Sequence, residues 1–277
     1  VTKRTRLTRI LPVAAAAALC ALAARGLAAN GVTVVVNPGQ SKATIVGTPG
    51  ADDLTITPGA ADDEFVITAG PGTTVDGGAS VTVSGVKNLV IKTGAGDDRL
   101  LFEGTRLARD LTVDLGEGDD SLEMVDAVVR GRSKLFGKAG ADSMLIRDQC
   151  NLWKIVNIKG GGGPDEIVIR ASVVHGFVRI IGGPHADRIT LNGVEMADGT
   201  ELAILGHSGP DWLGVVDCDL RVAVWAGMGL GDDVVTFNHS RFSQTLGIVG
   251  GDGNDFLALD DNDWGNNHRP RIDDFEQ

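Results

Sequence analysis

The sequence predicts an all-β chain: a right-handed parallel β-helix (β-solenoid) of about eight regular coils, preceded by degenerate N-terminal coils. Three observations predict it. A glycine-aspartate phrase recurs at nearly fixed spacing, apolar residues keep fixed offsets from each aspartate, and 39 glycines accompany only 4% aromatics and no tyrosine. Asp98, Asp120, Asp142, Asp165, Asp187, Asp211, Asp233 and Asp255 close successive copies, separated by 22, 22, 23, 22, 24, 22 and 22 residues. Such a period marks a solenoid, whose coils bury their apolar faces only by stacking on neighbours. A compact sandwich needs no register of this kind.

Residues 1–29 read as a secretory leader. Lys3, Arg4, Arg6 and Arg9 precede an apolar stretch from Ile10 to Ala24, and the small residues Gly26, Ala28 and Ala29 offer a cleavage site. The apolar stretch is 15 residues long, short of the roughly 20 that span a bilayer. A secreted, extracellular or cell-surface location is therefore expected, with no membrane span after cleavage. Residues 30–92 carry looser copies of the phrase: Gly47 to Leu54 fits well and Gly59 to Phe65 fits partly. A terminal cap that seals the apolar column accounts for the degeneracy.

Residues 93–260 hold the regular repeats. The positions two and four residues after each aspartate, running from Leu100 to Leu257 and from Phe102 to Leu259, are apolar throughout. Period-two alternation means a short strand with one face inward. A further apolar column nine residues on (Leu107, Val129, Val174, Met196, Leu220, Phe242) reads as an inward corner, and pairs such as Leu111/Val113 and Val178/Ile180 as a second strand. Cys150 and Cys218 fall near that corner three coils apart. At ~4.8 Å per coil they are roughly 14 Å apart, beyond the ~7 Å that a disulfide bridges, so buried free thiols are expected. Residues 261–277 read as a C-terminal cap and tail.

The turn phrase resembles the nonapeptide of RTX (haemolysin-type) calcium-binding proteins, G-G-x-G-x-D-x-U-x with U a large apolar residue. Gly250-Gly251-Asp252-Gly253-Asn254-Asp255-Phe256-Leu257 and Gly160-Gly161-Gly162-Gly163-Pro164-Asp165-Glu166-Ile167 match it fully; Gly182 to Asp187 and Gly137 to Asp142 lack one or two glycines. The resemblance implies Ca²⁺ between adjacent turns, held by the eight aspartates above and by glycine-loop carbonyls. The coil here is longer than the family's and carries the phrase on one side only, so one calcium column at most is implied.

Physical chemistry is compatible with that role. Ca²⁺ takes six to eight oxygen ligands, and glycines let carbonyls turn towards a common point. Carboxylates stacked ~4.8 Å apart repel by roughly 3.5 kcal/mol at an effective dielectric near 20, a penalty that an intervening cation removes. Asp97, Asp119 and Asp232 add to the negative field. The alternative keeps the aspartates metal-free, accepting backbone hydrogen bonds that stabilise the turn.

Charge narrows the function further. The whole chain carries a net −12, and residues 30–277 carry 20 basic against 37 acidic residues, a net −17. Nucleic-acid binding, which needs a basic face, is excluded on that balance. Catalytic motifs are weak. Gly206-His207-Ser208-Gly209 sits in the repeat turn, the run Gly160–Gly163 lacks the lysine of a phosphate loop, and the histidines occupy different phases. A mixed column five residues after the aspartate (Glu103, Arg147, Arg170, Asn192, Asn238, Asp260) is where a carbohydrate-active β-helix enzyme, a polysaccharide lyase or hydrolase, places its chemistry. The reading is thus a secreted calcium-binding structural or adhesion/matrix solenoid, with calcium ions and extracellular polysaccharide or cell-surface components as partners. The enzyme and a metal-free surface spacer are its rivals.

Overall fold

The computed structural model describes residues 31–196, 201–265 and 269–275. The leader expected at residues 1–29 lies outside the described residues. Among those residues no helix is long and apolar enough to cross a membrane.

The chain is a parallel β-solenoid with a coil of about 22 residues. Each regular coil has three strands rather than two. The strand entering the glycine turn (for example Val156–Gly162) belongs to an 11-stranded feeder sheet, and the strand leaving it (Glu166–Arg170) to an 11-stranded exit sheet. The inward corner is a third, 7-stranded sheet of two-residue strands such as Val173–Val174. A sequence column of single apolar residues hides this third sheet, because two residues are too few for an alternation to register. Coil-to-coil pairing is parallel and in phase: Leu122 sits between Leu100 and Met144, and Ile189 between Ile167 and Leu213. Buried columns of aliphatic residues from all three sheets therefore form one continuous core. Leu257 and Leu259, in the last regular coil, are only half-buried and pack on the same core as Trp264 and Phe275. Trp264 also stacks on Phe242 at 5.2 Å, closing this end.

The N-terminal region is more than degenerate coil. Lys42–Val46 and Asp53–Pro58 pair in parallel with the first regular coil. Around them the chain adds antiparallel strands, Thr33–Asn37 on one sheet and Phe65–Ala69 with Ser80–Val83 on the other. The phrase at Gly59 to Phe65 is accordingly a hairpin turn with exposed Asp62, not a solenoid turn. Antiparallel edges let short hairpins bury Phe65, Ile67, Val75 and Val83 over the open end.

Glycines at two and four residues before the aspartate have a steric cause. Gly183 has φ +142, and a Cβ there would overlap the carbonyl oxygen of Gly161 one coil below; Gly163 (φ +126) stands likewise over Gly140. Gly183→Ala is therefore expected to destabilise the protein by roughly 2–4 kcal/mol, read as a fall in melting temperature. Ala at half-buried Gly162, whose φ is ordinary and whose Cβ meets only a distant oxygen, should change it little.

Cys150 and Cys218 are buried and free, as expected. They belong to an internal corner ladder: the Ala127 and Val194 amides donate to Cys150 and Cys218 sulfur, and the Cys218 amide donates to Ser240 Oγ at 3.1 Å. Burial pushes the Cys218 thiol up to about 11.

Candidate functional site: a buried carboxylate column

All eight sequence-identified aspartates line a single ridge, and Asp52 extends it. Every one of the nine is buried, with at most 4% of its surface exposed. The residue after each aspartate begins or borders the exit strand, and strand register fixes the stacking. The carboxylates point into the turn rather than into solvent.

One oxygen of each carboxylate is committed. The amide of each aspartate donates to Oδ1 of the aspartate one coil further on, from Asp52 to Asp98 through to Asp233 and Asp255, at N···O distances of 2.7–3.0 Å. The turn therefore uses its acids as an inter-coil ladder. A second ladder runs outside it in the opposite sense: the Asp119 amide donates to Asp97, that of Ala141 to Asp119, and that of Asn254 to Asp232. The extra acids thus knit the turns together as well as adding charge.

The other oxygen is not satisfied. Oδ2 of Asp98, Asp120, Asp142, Asp165, Asp187, Asp211, Asp233 and Asp255 is buried without a hydrogen-bond partner. Asp52 differs, its Oδ2 accepting the Thr48 amide at 2.7 Å. A buried acceptor without a donor carries a desolvation cost. It is seen in the proton affinities: burial pushes Asp165 and Asp211 up to about 7 and Asp98, Asp120, Asp142, Asp187 and Asp233 up to about 6. The inter-coil amide bond pulls each of them back only in part.

The residue five positions before the aspartate decides what surrounds Oδ2. At Gly137, Gly160, Gly182, Gly206 and Gly250 a Cβ would collide with the carboxylate of the same turn as it is placed, so in these turns the carboxylate packs directly on the glycine. At Gly137, Gly206 and Gly250 the same point also lies against a carbonyl oxygen of the neighbouring coil, that of Gly160, Met228 and Asp274 respectively. At Thr93, Leu115 and Met228 a side chain stands there instead, and the Thr93 hydroxyl donates to the Leu115 carbonyl. The eight aspartates thus fall into two sets: Asp142, Asp165, Asp187, Asp211 and Asp255 packed on a glycine, and Asp98, Asp120 and Asp233 beside a side chain.

No family model, no curated protein and no solved structure matches this chain.

The residues of the glycine-backed set fit a hard cation by a buried oxygen with no donor, joined at Asp142, Asp211 and Asp255 by a carbonyl oxygen of the neighbouring coil close to the same glycine. Among the described residues no three His, Cys, Asp or Glu side chains converge on one point. An ion held here would therefore need most of its ligands from the backbone, as an oxygen-only shell allows. In the outer column suggested for catalysis, Arg147 is held by ion pairs, with Glu123 at 2.7 Å and with Asp148.

Without a cation the column sets a pH dependence. The carboxyl titrates near 3.8 when unperturbed and at about 6 to 7 in the folded turns. Folding takes up protons between those values, so this contribution is fully present below about 3.8 and is lost as pH rises through 6 to 7. In chelator the melting temperature is expected to fall between pH 5 and pH 8 by several degrees, measured by scanning calorimetry.

Proposed function

We propose that this protein is a calcium-stabilised structural solenoid with RTX-like turns, exported to the extracellular space or cell surface, whose outer faces serve in adhesion or matrix contact. The observation that carries the reading is the line of buried carboxylate oxygens with no donor, packed on glycines at five turns, with a carbonyl oxygen of the next coil beside those of Asp142, Asp211 and Asp255. Asp142, Asp165, Asp187 and Asp211, in four consecutive coils, would hold the ions, with Asp255 near the C-terminal end. Calcium bound there supplies positive charge where the fold otherwise leaves unscreened carboxylates, and so rigidifies the stack of coils. Export rests on the leader sequence.

A second reading is favoured by the committed oxygen. Since Oδ1 already accepts an amide, the column also works as a metal-free ladder if the second oxygen carries a proton. Calorimetric titration of chelator-stripped protein with Ca²⁺ at pH 7.5 separates the two. Saturable binding whose stoichiometry falls in an Asp165→Ala, Asp187→Ala double variant supports calcium; no binding heat and an unchanged melting temperature leave the metal-free spacer.

A further inference from the structure

We infer that the outward face of the feeder sheet is a binding groove for an extended anionic polysaccharide. The inference rests on the matrix role proposed above but not on calcium; the site borders the glycine turns at Gly160, Gly182 and Gly250, on whose inner side the carboxylates lie.

The groove is built by register. Outward positions of the feeder strands stack Lys134, Asn157 and Arg179 in one column, and Phe136, Lys159, Ile181 and Leu205 in the next. Three depressions of about 230, 260 and 310 Å³ follow one another along this face. Lys159 and Gly161 line the first two and His207 the last two, so they form one path along the stack. Phe136, Ile181, Leu205, Trp225 and Val249 give it apolar lining. Glycines of the turn side lie along one edge, and the exposed Trp225 indole lies against Gly247 of the next coil, where a Cβ would meet the ring.

Charge identifies the occupant. Over much of the surface the arginines are neutralised by an acid one coil away: Arg99 by Asp53, Arg132 by Asp110, Arg188 by Glu166 and Arg241 by Asp263. On the groove face Lys138 alone is paired in this way, with Asp114 at 3.4 Å. Lys134, Lys159 and Arg179 are exposed and have no carboxylate within ion-pair distance among the described residues. A chain of net −17 over residues 30–277 that leaves cations unpaired beside an apolar, partly aromatic lining fits a polymer with spaced carboxylates or sulfates and apolar ring faces. Duplex DNA fits poorly: it carries a charge every ~1.7 Å, against roughly one cation per ~4.8 Å coil, on a strongly acidic molecule.

The test is calorimetric titration of the full protein, in chelator and low salt, with a long oligogalacturonate, a neutral dextran and a single-stranded oligonucleotide. Oligogalacturonate alone is expected to bind, more weakly as salt rises. A Lys159→Glu, Arg179→Glu variant should weaken it about tenfold or more, with an unchanged melting temperature and an unchanged response to Ca²⁺. Trp225→Ala should weaken it without altering the salt dependence, and Arg99→Glu on the exit sheet should leave it intact. Equal binding by the charge-reversed variant, absence of oligogalacturonate binding, or tighter binding of dextran or oligonucleotide would overturn the assignment. Because the calcium response is read on the same variants, failure of the groove and failure of the calcium reading are told apart.

Discussion

In chelator at pH 7.5, replacing Asp165 and Asp187 together by asparagine is expected to raise the melting temperature, and in saturating Ca²⁺ the same replacement is expected to lower it relative to the parent. The sign reversal follows from the two oxygens of each carboxylate. Asparagine keeps the acceptor for the preceding coil's amide, at 2.9 Å for the Asp142 amide and 2.8 Å for that of Asp165. It replaces the oxygen that has no donor by an NH₂ group. A buried charge whose proton affinity is raised to about 7 or about 6 disappears. About 1 kcal/mol moves the melting temperature of a chain this size by roughly 2–4 °C, so a rise of several degrees is expected for the pair. With Ca²⁺ present the amide nitrogen offers no lone pair to the ion, and the stabilisation by binding is lost. Alanine at the same positions has a different signature. It leaves the preceding amides without an acceptor and should destabilise with or without calcium, by about 1–3 kcal/mol per site.

The second large effect is the calcium response itself and its dependence on position. A site saturated at about one hundred times its dissociation constant stabilises the folded state by about 2.7 kcal/mol. Four adjacent turns whose carboxylates pack on glycines then shift the melting temperature far more than any single substitution. The gain should be uneven along the column. Asp165→Asn removes a carboxylate beside Gly160 and should cut the calcium-induced shift markedly, and Asp211→Asn beside Gly206 likewise. Asp120→Asn, where Leu115 occupies the equivalent position, should leave most of the shift intact. Thermal melts of the three variants with and without Ca²⁺ check this, and a uniform response along all three would contradict the division into two sets.

Much of the architecture was legible because a solenoid converts sequence period directly into vertical stacking. The offsets from each aspartate placed Leu100 over Leu122 and Phe102 over Met124, as the pairing register has them. What remained hidden depended on direction rather than order. A carboxylate at the end of a glycine turn can face solvent or the turn interior at the same spacing, and only packing places all nine inside. The same holds for the glycine five residues earlier. Its alternation with Thr93, Leu115 and Met228 stands in the sequence, but it gains meaning only once the carboxylate is known to press on that position. The third sheet was illegible because Val173–Val174 and its equivalents are two residues long. The antiparallel cap escaped because its phrase at Gly59 to Phe65 satisfies a hairpin as readily as a coil turn. The groove's cations, spread among acids in the sequence, come together only through strand register.

The most direct test is diffraction from crystals grown in saturating Ca²⁺ at pH 7.5, with anomalous scattering recorded to locate the ion. The expected result is a row of calcium peaks between successive coils, each in contact with the second oxygen of Asp142, Asp165, Asp187 or Asp211 and with carbonyls of the adjoining turns. A column free of peaks at that concentration, with those oxygens bonded to water or to a neighbouring carbonyl through a proton, would contradict it.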